Sequence, residues 1–104
     1  MNMLVPYDFE AFLRGIENLT YDQMIREANE HCRRAEAAST GRGGPQQRAI
    51  GSIEYQTKIK QFLFFLQSGA RPGGASASDF ASYRPAIEAL VKKGHYKPEI
   101  LNLF

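Results

Sequence analysis

The stretch from Ile53 to Gly69 holds the densest apolar run in the chain, and any fold must bury most of it. At about 100° per residue, Tyr55, Ile59, Phe62, Leu63 and Leu66 fall in one stripe while Lys58, Lys60 and Gln61 lie off it, the pattern of an amphipathic helix. Phe62 to Leu66 is apolar on every face, which alone would also suit a buried strand. The helical spacing upstream and the stop at Gly69 decide for a helix over about 53–68. Burying those five side chains contributes roughly 8–15 kcal/mol at most, comparable to the net stability of a small domain. The remaining segments are therefore expected to pack around this helix.

Upstream, Asp8 can cap a first helix in which Phe9, Phe12, Leu13 and Ile16 recur at i, i+3, i+4 and i+7, with Tyr7 placed to staple onto Phe12. Thr20 followed by Gln23 forms a capping box for a second helix from Tyr21 to about Ala38. Its buried stripe is Met24, Ile25, Ala28, Cys32 and Ala35. The small residues in that stripe let a second helix approach closely, and the bulky Phe62–Leu66 turn supplies what fills the space, so these two helices are expected to be direct neighbours.

Two segments rich in glycine and polar residues, 39–48 and 70–75, read as flexible connectors. After the second, Ser76 or Ser78 caps a helix in which Phe80, Tyr83, Ile87, Leu90 and Val91 keep register across Pro85, which must kink it or divide it in two. Gly94 ends that helix, and Pro98 can open a short terminal one carrying Ile100, Leu101, Leu103 and Phe104. No strand pattern and no internal repeat is found. The reading is an all-α, single-domain bundle of four or five helices spanning residues 1–104, with the helix at about 53–68 at its centre.

At 104 residues there is room for one core. Thirteen Lys and Arg against eleven Asp and Glu give +2, too near balance to imply nucleic acid or an anionic membrane. The balance is uneven, with a net of −3 over residues 1–25 and +5 over the rest. The single cysteine, Cys32, excludes an internal disulfide and suits a reducing cytoplasm. Neither a signal peptide nor a membrane span is legible.

Catalytic chemistry finds little support. His31 and Cys32 are adjacent, so on a helix they diverge by about 100° and cannot pair. A Cys32–His95 dyad needs tertiary structure to assemble it, and Cys32 reads more simply as a core residue. His31, four residues after Glu27, reads as a boundary histidine rather than a metal ligand. Phosphate-loop, nucleophile-elbow and zinc-protease motifs are absent from the sequence, and no cofactor or metal is expected.

Two candidate binding features remain. Phe64 projects about 150° from the centre of the apolar stripe; either the C-terminal Leu103 and Phe104 cover it, or it is an exposed aromatic anchor. Intramolecular cover is the expected arrangement, which would make the chain a monomer; docking of that end on a second copy would give a dimer. Arg42 and Arg48 in the glycine-rich segment, extended by Arg33 and Arg34, could grip phosphate, although interleaved glutamates favour a solvated face. The expected function is a non-catalytic cytoplasmic protein-interaction module, an adaptor, an inhibitor or a homodimerising accessory protein, whose contact residues are Phe64, Leu103 and Phe104. The alternative is a nucleic-acid-binding accessory protein using Arg42, Arg48, Arg33 and Arg34.

Overall fold

The computed structural model describes residues 7–39 and 52–104; its regular elements are all helices, with no strand among the described residues. In chain order the elements are α1 (Phe9–Ile16), α2 (Tyr21–Ser39), α3 (Ser52–Ser68), α4 (Ala77–Ala81), α5 (Arg84–Lys92) and a terminal 3₁₀ helix (Pro98–Leu103). The all-α bundle read from the sequence is the architecture found.

The starts of α1, α2 and α4 are fixed by the side chains expected there. Asp8 Oδ1 accepts from the Ala11 amide at 3.2 Å to open α1. At α2 the capping box closes both ways: the Gln23 amide donates to Thr20 Oγ1 at 3.2 Å, and the Thr20 amide donates to Gln23 Oε1 at 3.0 Å. Ser76 Oγ accepts from the Asp79 amide to open α4. The break at Pro85 yields two short helices rather than one kinked helix, with the proline in the first turn of α5, where its missing N–H costs nothing.

Helix ends follow the same logic. Gly69 (φ 71°) and Gly94 (φ 83°) adopt the left-handed backbone that a side chain would strain. At Gly94 its amide donates to the Val91 carbonyl and the His95 amide to the Leu90 carbonyl, both at 2.9 Å, which closes α5 in a Schellman motif. The end of α3 is capped differently. Its Leu66 carbonyl accepts from two phenols, Tyr21 at 3.1 Å and Tyr96 at 2.6 Å, tying the start of α2 and the C-terminal segment to one orphan acceptor.

The closest pairing of helices is α2 with α3, as the small-against-bulky stripes imply. Met24, Ala28, Cys32 and Ala35 of α2 are buried, facing an α3 whose Tyr55, Ile59, Phe62, Phe65 and Leu66 are buried. Phe9 and Phe12 of α1, with Phe80 and Tyr83 beyond α3, complete an aromatic core in which Phe62 meets Tyr83 at 5.0 Å between ring centroids. The connector at 70–75 packs on this core: Pro72 and Ala75 are buried, and the Arg71 guanidinium lies 4.9 Å from the Phe80 ring centre.

The C-terminus departs from expectation. Its six residues form a 3₁₀ rather than an α-helix, and they do not cover Phe64. The Phe104 ring instead stacks on Phe80 at 4.5 Å and meets Phe65 edge-on at 5.7 Å. The physical reason is that Phe65 and Phe80 offer two rings of the main core, a larger apolar partner than the single outward ring of Phe64.

Candidate functional site

Two surfaces carry chemistry that packing does not consume, and they lie on opposite sides of α3. On the outer side Ile53, Thr57, Lys60 and Phe64 recur at i, i+4, i+7 and i+11, so they share one face, and all four are exposed. Ile53 is 64% exposed and Phe64 51%, the two ends of a stripe about 16 Å long. Beside Phe64 lies a shallow hollow of about 310 Å³ floored by Gln61, Pro72 and Gly73. Among the described residues Leu103, 45% exposed, is the third large apolar side chain left in water. The site expected from the sequence thus divides: Phe64 and Leu103 are exposed, whereas Phe104 is half-buried against the core.

The arginines fare differently. Arg33 Nη2 contacts both oxygens of Glu30 at 2.6 Å, and Arg34 Nε donates to the same carboxylate at 3.1 Å. These bonds hold the Glu30 carboxyl below its usual range and raise Arg33 above its own, so both charges are engaged within α2. Arg42 and Arg48 lie outside the described residues.

On the inner side is a cleft of about 600 Å³ between α1 and α2. It exists because of what each helix contributes. The α1 wall is small, with Ala11 and Gly15 one turn apart, and a Cβ at Gly15 would meet no atom within 4 Å. The α2 wall is Glu27, His31 and Arg34 at i, i+4 and i+7, beside the buried stripe rather than on it. Phe12 of α1 meets the His31 ring at 4.9 Å, but Ala11 and Gly15 stand opposite the exposed Glu27 and Arg34, which leaves a gap between the helices. Tyr55 of α3 and Tyr7 close the cleft at one end, and Phe12, Ile16 and Leu19 supply its apolar lining.

Within the cleft His31 Nδ1 lies 2.9 Å from the Tyr55 hydroxyl, and its Nε2 lies 3.6 Å from Glu27 Oε1. A carboxylate beside Nε2 favours the proton on that nitrogen, so we assign Nδ1 as acceptor and the Tyr55 hydroxyl as donor. Burial lowers the His31 pKa, opposed by Glu27. Burial, aided by Asp8, pushes Tyr55 up to about 12. Near neutral pH the pair is an uncharged phenol on an uncharged imidazole. Burial disfavours ionisation of the phenol, which keeps it in its neutral, hydrogen-bonding form.

This cleft was missed as a site in the sequence, where His31 reads as a boundary histidine. The available signal was the Glu27–His31–Arg34 spacing; the Tyr55 partner, 24 residues on, was not visible. A Cys32–His95 dyad is not assembled. His95 stacks on Tyr21 at 3.9 Å, and Tyr21 precedes Cys32 by eleven residues, about 16 Å along α2. Among the described residues no three His, Cys, Asp or Glu side chains converge to hold a metal ion, and no helix is long and apolar enough to cross a membrane. No protein-family profile, curated protein or solved structure matches this chain.

Proposed function

We propose that the chain is a non-catalytic cytoplasmic protein-interaction module whose contact surface is the outer face of α3. The observation that carries this reading is the exposure of Ile53 and Phe64 at the two ends of one helical stripe while the C-terminal segment is docked elsewhere. The cytoplasmic placement rests on the single cysteine, which is buried in the core.

The spacing of the stripe favours a second copy of the chain as the partner. Thr57 stands four residues inside Ile53 and Lys60 four residues inside Phe64, so the stripe reads the same from either end. Two such helices laid antiparallel set Ile53 against Phe64 and Thr57 against Lys60 twice over, without bringing the lysines together. Four residues per copy fall short of the roughly 800 Å² per partner of a standard interface, so the association is weak and concentration-dependent. The nucleic-acid reading has less support, because Glu30 engages both Arg33 and Arg34.

Sedimentation over a wide concentration range tests this. The 11.7 kDa chain is expected to move towards twice its mass as concentration rises, and Phe64→Ser to remain at single mass with a thermal midpoint close to that of the parent chain. A parent chain that stays at single mass throughout, or a Phe64→Ser variant that still associates, overturns it.

A further inference from the structure

We infer that the cleft between α1 and α2 is a binding site for a small organic cation, an ammonium group on a short apolar body. Its volume of about 600 Å³ falls within the range of small-molecule sites, roughly 300–1,000 Å³, and it combines an apolar lining with convergent polar groups as such sites do.

The charge comes from counting which groups are already engaged. Of the cleft's ionised side chains, Arg34 already donates through Nε to Glu30, a residue outside the cleft. The carboxylates of Asp8 and Glu27 remain, the first with one oxygen on the Ala11 amide and the second half-exposed beside His31. With His31 uncharged, two carboxylates stand against one partly engaged guanidinium, so negative charge is in excess. The Tyr55 hydroxyl adds to this preference. Its proton is directed at His31 Nδ1, which leaves oxygen lone pairs for a donor. Glu27 and Asp8 supply negative charge for an ammonium group, and Tyr55 an oxygen acceptor for a hydroxyl on the ligand's body.

Aromatic rings supply the second, independent support. Tyr7 stands edge-on to Tyr55 at 5.3 Å with their planes 64° apart, and Phe12 stands at 82° to Tyr55. All three rings line the cleft, so a cation entering it comes within reach of aromatic quadrupoles that attract it. Ala11, Gly15, Ile16 and Leu19 then offer an apolar bed for the body of the ligand. Tyr55 and Phe64 are nine residues apart and point to opposite sides of α3, so occupation of this cleft is independent of any contact made through Phe64.

The test is a titration of the isotope-labelled full chain with choline, with its uncharged carbon analogue dimethylbutanol, and with butyrate, following amide shifts of Ala11, Gly15, His31 and Tyr55. Choline is expected to give saturable shifts, and dimethylbutanol to bind about tenfold more weakly or not at all, the difference that loss of cation–π and carboxylate attraction represents. Glu27→Gln should weaken choline several-fold. Gly15→Leu should abolish its binding while keeping the fold, since the new side chain enters the open cleft from a helical position. Equal affinity for dimethylbutanol, a preference for butyrate, binding that survives Gly15→Leu, or no saturable shift with choline would each overturn the inference.

Discussion

The ring of Phe104 lies 4.5 Å from that of Phe80 and within 9° of parallel, so Phe104 packs on the core instead of standing free of it. Ile100, Leu101 and Phe104 are half-buried beside it, and Tyr96 reaches the Leu66 carbonyl from the same segment. Deleting residues 98–104 removes that burial and bares Phe65 and Phe80. It should cost about 2–4 kcal/mol, read as a lower urea midpoint. An unchanged midpoint would mean that the terminal segment does not dock in solution.

Tyr83 is fully buried, yet its hydroxyl has no hydrogen-bond partner among the described residues. A buried hydroxyl without a partner opposes folding, so Tyr83→Phe should raise stability by about 1 kcal/mol, several degrees in thermal midpoint for a domain of this size. A lower midpoint would reveal a partner for that oxygen. Burial raises the phenol pKa of Tyr83 and Tyr96, and pushes Tyr55 up to about 12. Raised acids bind more protons folded than unfolded in this window. Their contribution is therefore complete below the ordinary phenol value of about 10 and lost as pH climbs through the raised values, and tyrosinate absorbance should appear together with unfolding.

Ala28 is fully buried where α2 meets α3. Ala28→Leu forces three added carbons into a fully buried position at the α2–α3 contact, and should lower stability by about 1–3 kcal/mol. A urea midpoint equal to the parent's would show that the α2–α3 contact has slack.

The helices were legible because their signals are local. Asp8, the Thr20–Gln23 pair, Ser76, Gly69 and Gly94 each act within a few residues, and each sits at the terminus its chemistry predicts. The pairing of α2 with α3 was legible through side-chain volume, small against bulky. Contacts chosen among distant alternatives were not. Phe104 had both Phe64 and the Phe65–Phe80 pair open to it, and the sequence holds no term for which apolar surface is larger once folded. The cleft was hidden for a related reason. It depends on what two helices fail to fill, and Gly15 and Ala11 register in the sequence only as small residues on the wet side of α1.

The His31–Tyr55 hydrogen bond yields a prediction in which two substitutions move one titration in opposite directions. The groups facing His31 are Glu27, Glu30 and Arg34 from its own helix and Tyr55 from α3. Burial lowers its pKa, so between the lowered value and the ordinary imidazole value of about 6.5 the unfolded chain binds more protons than the folded one. Stability from neutral His31 is accordingly present above about 6.5 and declines as pH falls through the lowered value. If the Tyr55 hydroxyl donates to Nδ1, it favours the neutral ring, and Tyr55→Phe should raise the His31 pKa. Glu27 favours the charged ring through its carboxylate, so Glu27→Gln should lower it further. Both shifts can be read from the imidazole resonances across an acid titration. A downward shift in Tyr55→Phe would reverse the assignment, placing the proton on Nδ1 and making the phenol oxygen its acceptor. It would also direct the Tyr55 proton into the cleft, where it would disfavour an ammonium ligand.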